Sequence, residues 1–69
     1  MAMNSQERAE RFELLYSAYI AKLRRLDELQ AMGRYGYQLR MPKKSLRIAM
    51  DNLRAFGREH NVEVESLFY

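Results

Sequence analysis

The sequence predicts an all-α fold: a long helix 1 and a shorter helix 2 paired as an antiparallel hairpin with a short C-terminal appendage, and dimeric. Three observations carry that expectation. Between Phe12 and Met32 the apolar residues recur at helical spacing. A second such stretch follows Pro42, and two of the three glycines, Gly33 and Gly36, lie in the connector between the two. With three glycines and one proline in 69 residues, the chain also lacks the turn residues an all-β fold consumes.

Helix 1 is expected over about residues 5–32. Asn4 suits the N-cap, because its side-chain oxygen accepts from the free NH groups of the first turn, and Glu7 stands at the third position of a capping box. Glu7 and Arg11 stand one turn apart in the favourable order. At about 100° per residue, Phe12, Leu15, Tyr16, Tyr19, Leu23 and Leu26 share one broad stripe. A second line, Leu14, Ala18, Ala21 and Met32, lies nearly opposite, interrupted by Arg25 and Glu28. Gly33 suits the left-handed position just past the helix end, which makes the rod about 42 Å long.

Residues 33–41, GRYGYQLRM, form the connector, and Met41 is expected to be extended because a proline follows it. Helix 2 is expected over about residues 42–60, with Pro42 in the first turn and Leu46, Ala49, Met50, Leu53, Phe56, Gly57 and His60 on one face. It is shorter, roughly 27 Å. About ten residues near the start of helix 1, around Phe12 and Tyr16, therefore lack a helix-2 partner, and either the tail or a second molecule must cover them. The tail, residues 61–69, is apolar enough to do so; VEVE permits a short strand and SLFY a helical turn.

Charge separates the chain into unequal parts. Residues 1–32 balance five cations with five acids, whereas residues 33–47 carry Arg34, Arg40, Lys43, Lys44 and Arg47 against no acid. The remainder, with two arginines and four acids, is mildly acidic. No run approaches the ~18 apolar residues of a membrane span, and the polar N-terminus lacks the centre of a signal peptide. A cytoplasmic protein without a membrane partner is the expectation. The chain has no cysteine, so neither a disulfide framework nor a thiolate metal site is available.

Catalysis is not expected. One histidine, His60, and scattered serines do not supply a nucleophile, a base and an orienting group together. Glu59, His60, Glu63 and Glu65 are too few and too ordinary a set for a metal centre, so the expectation is no enzyme, no cofactor, no metal and no small-molecule substrate. Aromatic anchors and arginine dominate binding energy at protein interfaces. The expected partner-binding residues are accordingly Tyr16, Tyr19, Arg34, Tyr35, Tyr37 and Arg40, on a small regulator or adaptor that docks on a protein or its own copy. The size fits proteins of phages and mobile elements. The alternative is a nucleic-acid-binding regulator, with Arg34, Arg40, Lys43, Lys44 and Arg47 on phosphates and the connector tyrosines on bases.

Four resemblances bear on this choice. GRYG, at residues 33–36, is similar to the GxxG loop of KH domains, although the preceding residue is Met32 rather than isoleucine and the flanking strands are missing. Leu53 to Tyr69 resembles a helix-turn-helix, with Gly57 at the small position and Asn61 at the turn, but Glu63 and Glu65 open the would-be recognition helix. KKSLRIAM is similar to the strand of ribbon-helix-helix repressors, whose second helix has almost no counterpart here. The hairpin topology itself resembles that of the Rop-type plasmid proteins, whose motifs are absent.

Overall fold

In the computed structural model, which describes residues 4–68, the chain is two helices packed side by side with two short 3-10 turns. Helix α1 spans Ser5–Ala31 and α2 spans Arg40–His60; the turns are Gly36–Leu39 and Glu65–Leu67. The molecule is a rod of 45 × 21 × 17 Å. Its radius of gyration is 14.0 Å, against about 11 Å for a compact chain of this length.

The ends of α1 arise from local chemistry. Asn4 Oδ1 accepts from the Glu7 NH at 2.8 Å, as its cap position predicts. At the other end Gly33 takes φ +86°, and the Gly33 and Arg34 NH groups return to the Gln30 and Leu29 carbonyls at 3.0 Å, a Schellman closure. Helix α2 ends the same way without a glycine. Asn61 enters the left-handed region at φ 56°, and the Val62 NH reaches the Gly57 carbonyl at 2.8 Å.

Packing is built on a small core. Tyr19, Ala49 and Leu53 form the buried cluster, surrounded by half-buried Leu15, Tyr16, Ile20, Leu23, Leu46, Met50 and Phe68. Leu26 and Leu39 close the core toward the turn between the helices, and Phe56 and Val64 toward the other end. Burying each large apolar side chain contributes about 1.5–3 kcal/mol, so a core this small leaves little reserve.

Three expectations are corrected. Helix α2 begins at Arg40 rather than 42, and Met41 is helical rather than extended. The 3-10 turn that sinks Leu39 into the core runs directly into α2, and Pro42 still sits in the first turn, where its missing NH costs nothing. The tail, for which the sequence leaves strand and helical turn both open, forms the 3-10 turn Glu65–Leu67, and no strand occurs among the described residues; Tyr69 lies outside them. Glu63 dictates that choice by accepting from the Ser66 NH at 3.0 Å and the Ser66 hydroxyl at 2.7 Å.

The third correction concerns what lies uncovered. The 27-residue α1 exceeds the 21-residue α2 by six residues, not ten. Phe12 meets Phe56 at a ring separation of 5.9 Å, so α2 reaches its level. The overhang is therefore the polar start of α1, which water covers adequately. The tail folds back instead onto the flank of the hairpin, where the Phe68 ring meets the Tyr19 ring edge-on at 5.2 Å. The second apolar line of α1 does face solvent, with Leu14 and Met32 exposed and Ala18 and Ala21 beside them.

Candidate functional site

The turn end of the hairpin collects most of the residues that sequence marks for binding. Tyr35 is 77% exposed and Tyr37 85%, and Met32 and Met41 stand beside them at 65% and 64%. Local backbone causes this. The Schellman closure after α1 turns the chain outward, Gly36 takes φ +63°, and the 3-10 turn then buries Leu39 while its neighbours are left outside. One leucine anchors the turn and the tyrosines have no core left to enter.

Five cations frame this apolar end. Arg34, Arg40, Lys43, Lys44 and Arg47 are all exposed, and none forms an ion pair with a carboxylate among the described residues. By contrast, the arginine nearer the tail is engaged. Arg54 donates to Glu65 at 2.8 Å and to Asp51 at 3.4 Å, and its guanidinium lies 4.9 Å over the Phe68 ring. The Glu65 hydrogen bond holds Arg54 above its ordinary pKa, with Asp51 adding to the effect.

The structure separates the six expected partner-binding residues. Arg34, Tyr35, Tyr37 and Arg40 come together at the turn end. Tyr19 does not: at 2% exposure it is part of the core, which corrects the expectation that it is an exposed anchor. Tyr16 is half-buried between Phe12, whose ring is 5.9 Å away, and Tyr19 at 6.2 Å. Both tyrosines lie on the stripe that α2 and the tail cover, and the stripe wins over their polar tips.

Two features were not marked by sequence. Met32 and Met41 widen the apolar end, and their exposure depends on how the turn closes. A shallow groove of about 240 Å³ beside them is lined by Lys22, Arg25, Met41, Pro42 and Ser45. It brings two α1 cations alongside the basic segment, a placement that only the pairing of the helices creates. His60 stacks on Phe56 at 4.5 Å and approaches Glu59 at 4.0 Å, which makes it a packing residue. Among the described residues no group of three metal-binding side chains converges, and no helix is long and apolar enough to cross a membrane.

No protein-family model matches the chain, and no curated protein or solved structure matches it either. The fold and the turn end define a small helical hairpin with a basic, aromatic tip.

Proposed function

We propose that the chain is a small non-enzymatic interaction module that docks by the tip of its hairpin on an acidic protein surface. The observation that carries this reading is the cluster of Met32, Tyr35, Tyr37 and Met41, four large apolar side chains at 64–85% exposure within ten residues. Methionine adapts to irregular apolar surfaces, tyrosine supplies rigid contact area at low entropic cost, and Arg34 and Arg40 provide charged anchors at the rim. The unpaired cations select the partner's sign and speed the encounter. Contact between the tips of two copies would bring two sets of five cations together, so a different, acidic partner suits this surface better than a second copy.

The test compares wild type with the Tyr35→Ala/Tyr37→Ala double variant, whose core is untouched. Each is used as bait under identical conditions, and any protein retained by wild type alone is titrated directly against both. Affinity at least tenfold weaker for the variant supports the reading. If every retained protein binds both equally, the tip is not the docking surface. A light-scattering mass of two chains that falls to one in the variant would assign the tip to self-association.

A second reading is favoured by one specific observation, that among the described residues no carboxylate pairs with the five cations beside two exposed aromatic rings. That combination also suits phosphates and unstacked bases, and makes the same end a nucleic-acid contact.

A further inference from the structure

The basic residues do not stop at the turn end. On α2, Arg40, Lys43, Arg47, Arg54 and Arg58 fall within a sector of roughly 60°, one edge of the helix along about 27 Å. Lys44 borders that sector, about 40° beyond Arg40 and Arg58 and about 100° round from Lys43 at its far side. In 3-10 geometry residues three apart line up, so exposed Tyr37 stands in line with Arg40 at the head of the edge. Cations one turn apart, about 5–6 Å, match an extended phosphate chain, and an aromatic face at one end receives a base.

Charge along the edge changes where the tail crosses it. Among the described residues Arg40, Lys43 and Arg47 have no acid partner, whereas Arg54 is held by Glu65 at 2.8 Å and by Asp51 at 3.4 Å. Beyond it a groove of about 350 Å³ between α2 and the tail is lined by Arg54 and Arg58 on one side and Glu63 and Glu65 on the other, so its charges cancel. The tail thus adds Glu65 to Asp51 of α2 as anions on Arg54, where the rest of the edge presents cations.

We infer that the α2 edge carrying Arg40, Lys43 and Arg47 is a track for the phosphate backbone of a single-stranded nucleic acid, and that Glu65 of the tail competes with that strand for Arg54. The inference rests on the nucleic-acid reading of the tip and extends it in two ways. It names which cations of the basic segment touch the strand, and it gives the tail a part in limiting the length bound. Glu65 is an exposed carboxylate on a short turn, so a phosphate displaces it without disturbing the core.

The experiment measures binding of a fluorescent oligothymidylate of about 15 nucleotides to the full chain between 50 and 300 mM salt. For single strands the logarithmic slope is about 0.7 per phosphate neutralised. Lys43→Ala should lower the slope by about that amount, whereas Lys44→Ala, at the margin of the edge, should lower it by clearly less. Glu65→Gln should steepen it by about 0.7 and tighten binding at low salt by about three- to tenfold. Arg24→Ala, an exposed α1 cation outside the groove beside the tip, is the charge-matched control.

Equal effects of Lys43→Ala and Lys44→Ala would overturn the track while leaving nucleic-acid binding intact. No tightening by Glu65→Gln, with the variant's circular dichroism unchanged, would overturn the competition. Absence of any binding at 50 mM salt would remove the underlying nucleic-acid reading. Retention of polyglutamate without retention of the oligonucleotide would give the edge to an acidic protein instead.

Discussion

Tyr19 and Tyr37 have the same side chain and opposite fates, and they mark the difference between the shaft of this hairpin and its tip. In the shaft, Tyr19 is 2% exposed and meets rings from its own helix and from the tail. At the tip, Tyr37 is 85% exposed and no described residue buries it. Two helices side by side can cover each other's facing stripes, but the segment that joins them has only one side against protein. A single leucine, Leu39, fills the space available there. The two regions therefore divide the labour: the shaft carries the stability and the tip carries the surface available to partners.

The largest expected effect tests that division directly. Tyr19→Ala removes the ring that joins α1, α2 and the tail and should cost about 3–5 kcal/mol, enough to unfold much of so small a domain. Tyr37→Ala should change stability by no more than about 0.5 kcal/mol. Thermal and urea melts monitored by circular dichroism would read both, and equal losses would erase the distinction between shaft and tip.

A smaller effect is expected where the tail meets α2. A Cβ on Gly57 would lie 2.6 Å from the Val62 carbonyl oxygen and 3.2 Å from both Val64 methyl groups. In an isolated helix Gly57→Ala would gain about 1 kcal/mol from propensity. Here the oxygen belongs to backbone that closes the helix end, so the tail must shift, and a net loss of about 1–3 kcal/mol is expected. Amide exchange at Val62, whose NH bonds the Gly57 carbonyl, would accelerate more than exchange in the middle of α1. A melting temperature that rises would show that the tail is not seated on the shaft.

The smallest effect is a pH dependence confined to the tail. Hydrogen bonds from the Ser66 hydroxyl and then the Ser66 NH hold the Glu63 carboxyl below its ordinary value of 4.5. A pKa lowered by folding means that the charged form is favoured in the folded tail. Its contribution is present above the unfolded value and is lost as pH falls through the lower folded one. The Ser66 amide resonance should therefore titrate with a midpoint below 4.5, and Glu63→Gln should abolish that titration. A midpoint at or above that value would contradict the hydrogen-bonded turn.

Much of this architecture is legible in the residues because it rests on local chemistry. Asn4 opens α1 and Gly33 stands just past its end, since caps and left-handed positions depend on a few neighbouring residues. The facing stripes are readable for the same reason, and so is the charge imbalance of residues 33–47. The course of the tail is not, because VEVESLFY suits strand and helix alike. A side-chain hydrogen bond pattern from Glu63 and the available flank of α2 decide between them.

Residue order is enough to specify two helices, their approximate limits, the residues that face inward and the sign of the turn end. Which tyrosines are buried was settled only by packing in three dimensions, because a stripe wider than one helix contact leaves open how far the tail will cover it. Packing also pairs Arg54 with Glu65 while leaving Arg40, Lys43 and Arg47 without an acid among the described residues. Glu65 stands eleven residues beyond Arg54, and only the folding back of the tail brings the two within 2.8 Å.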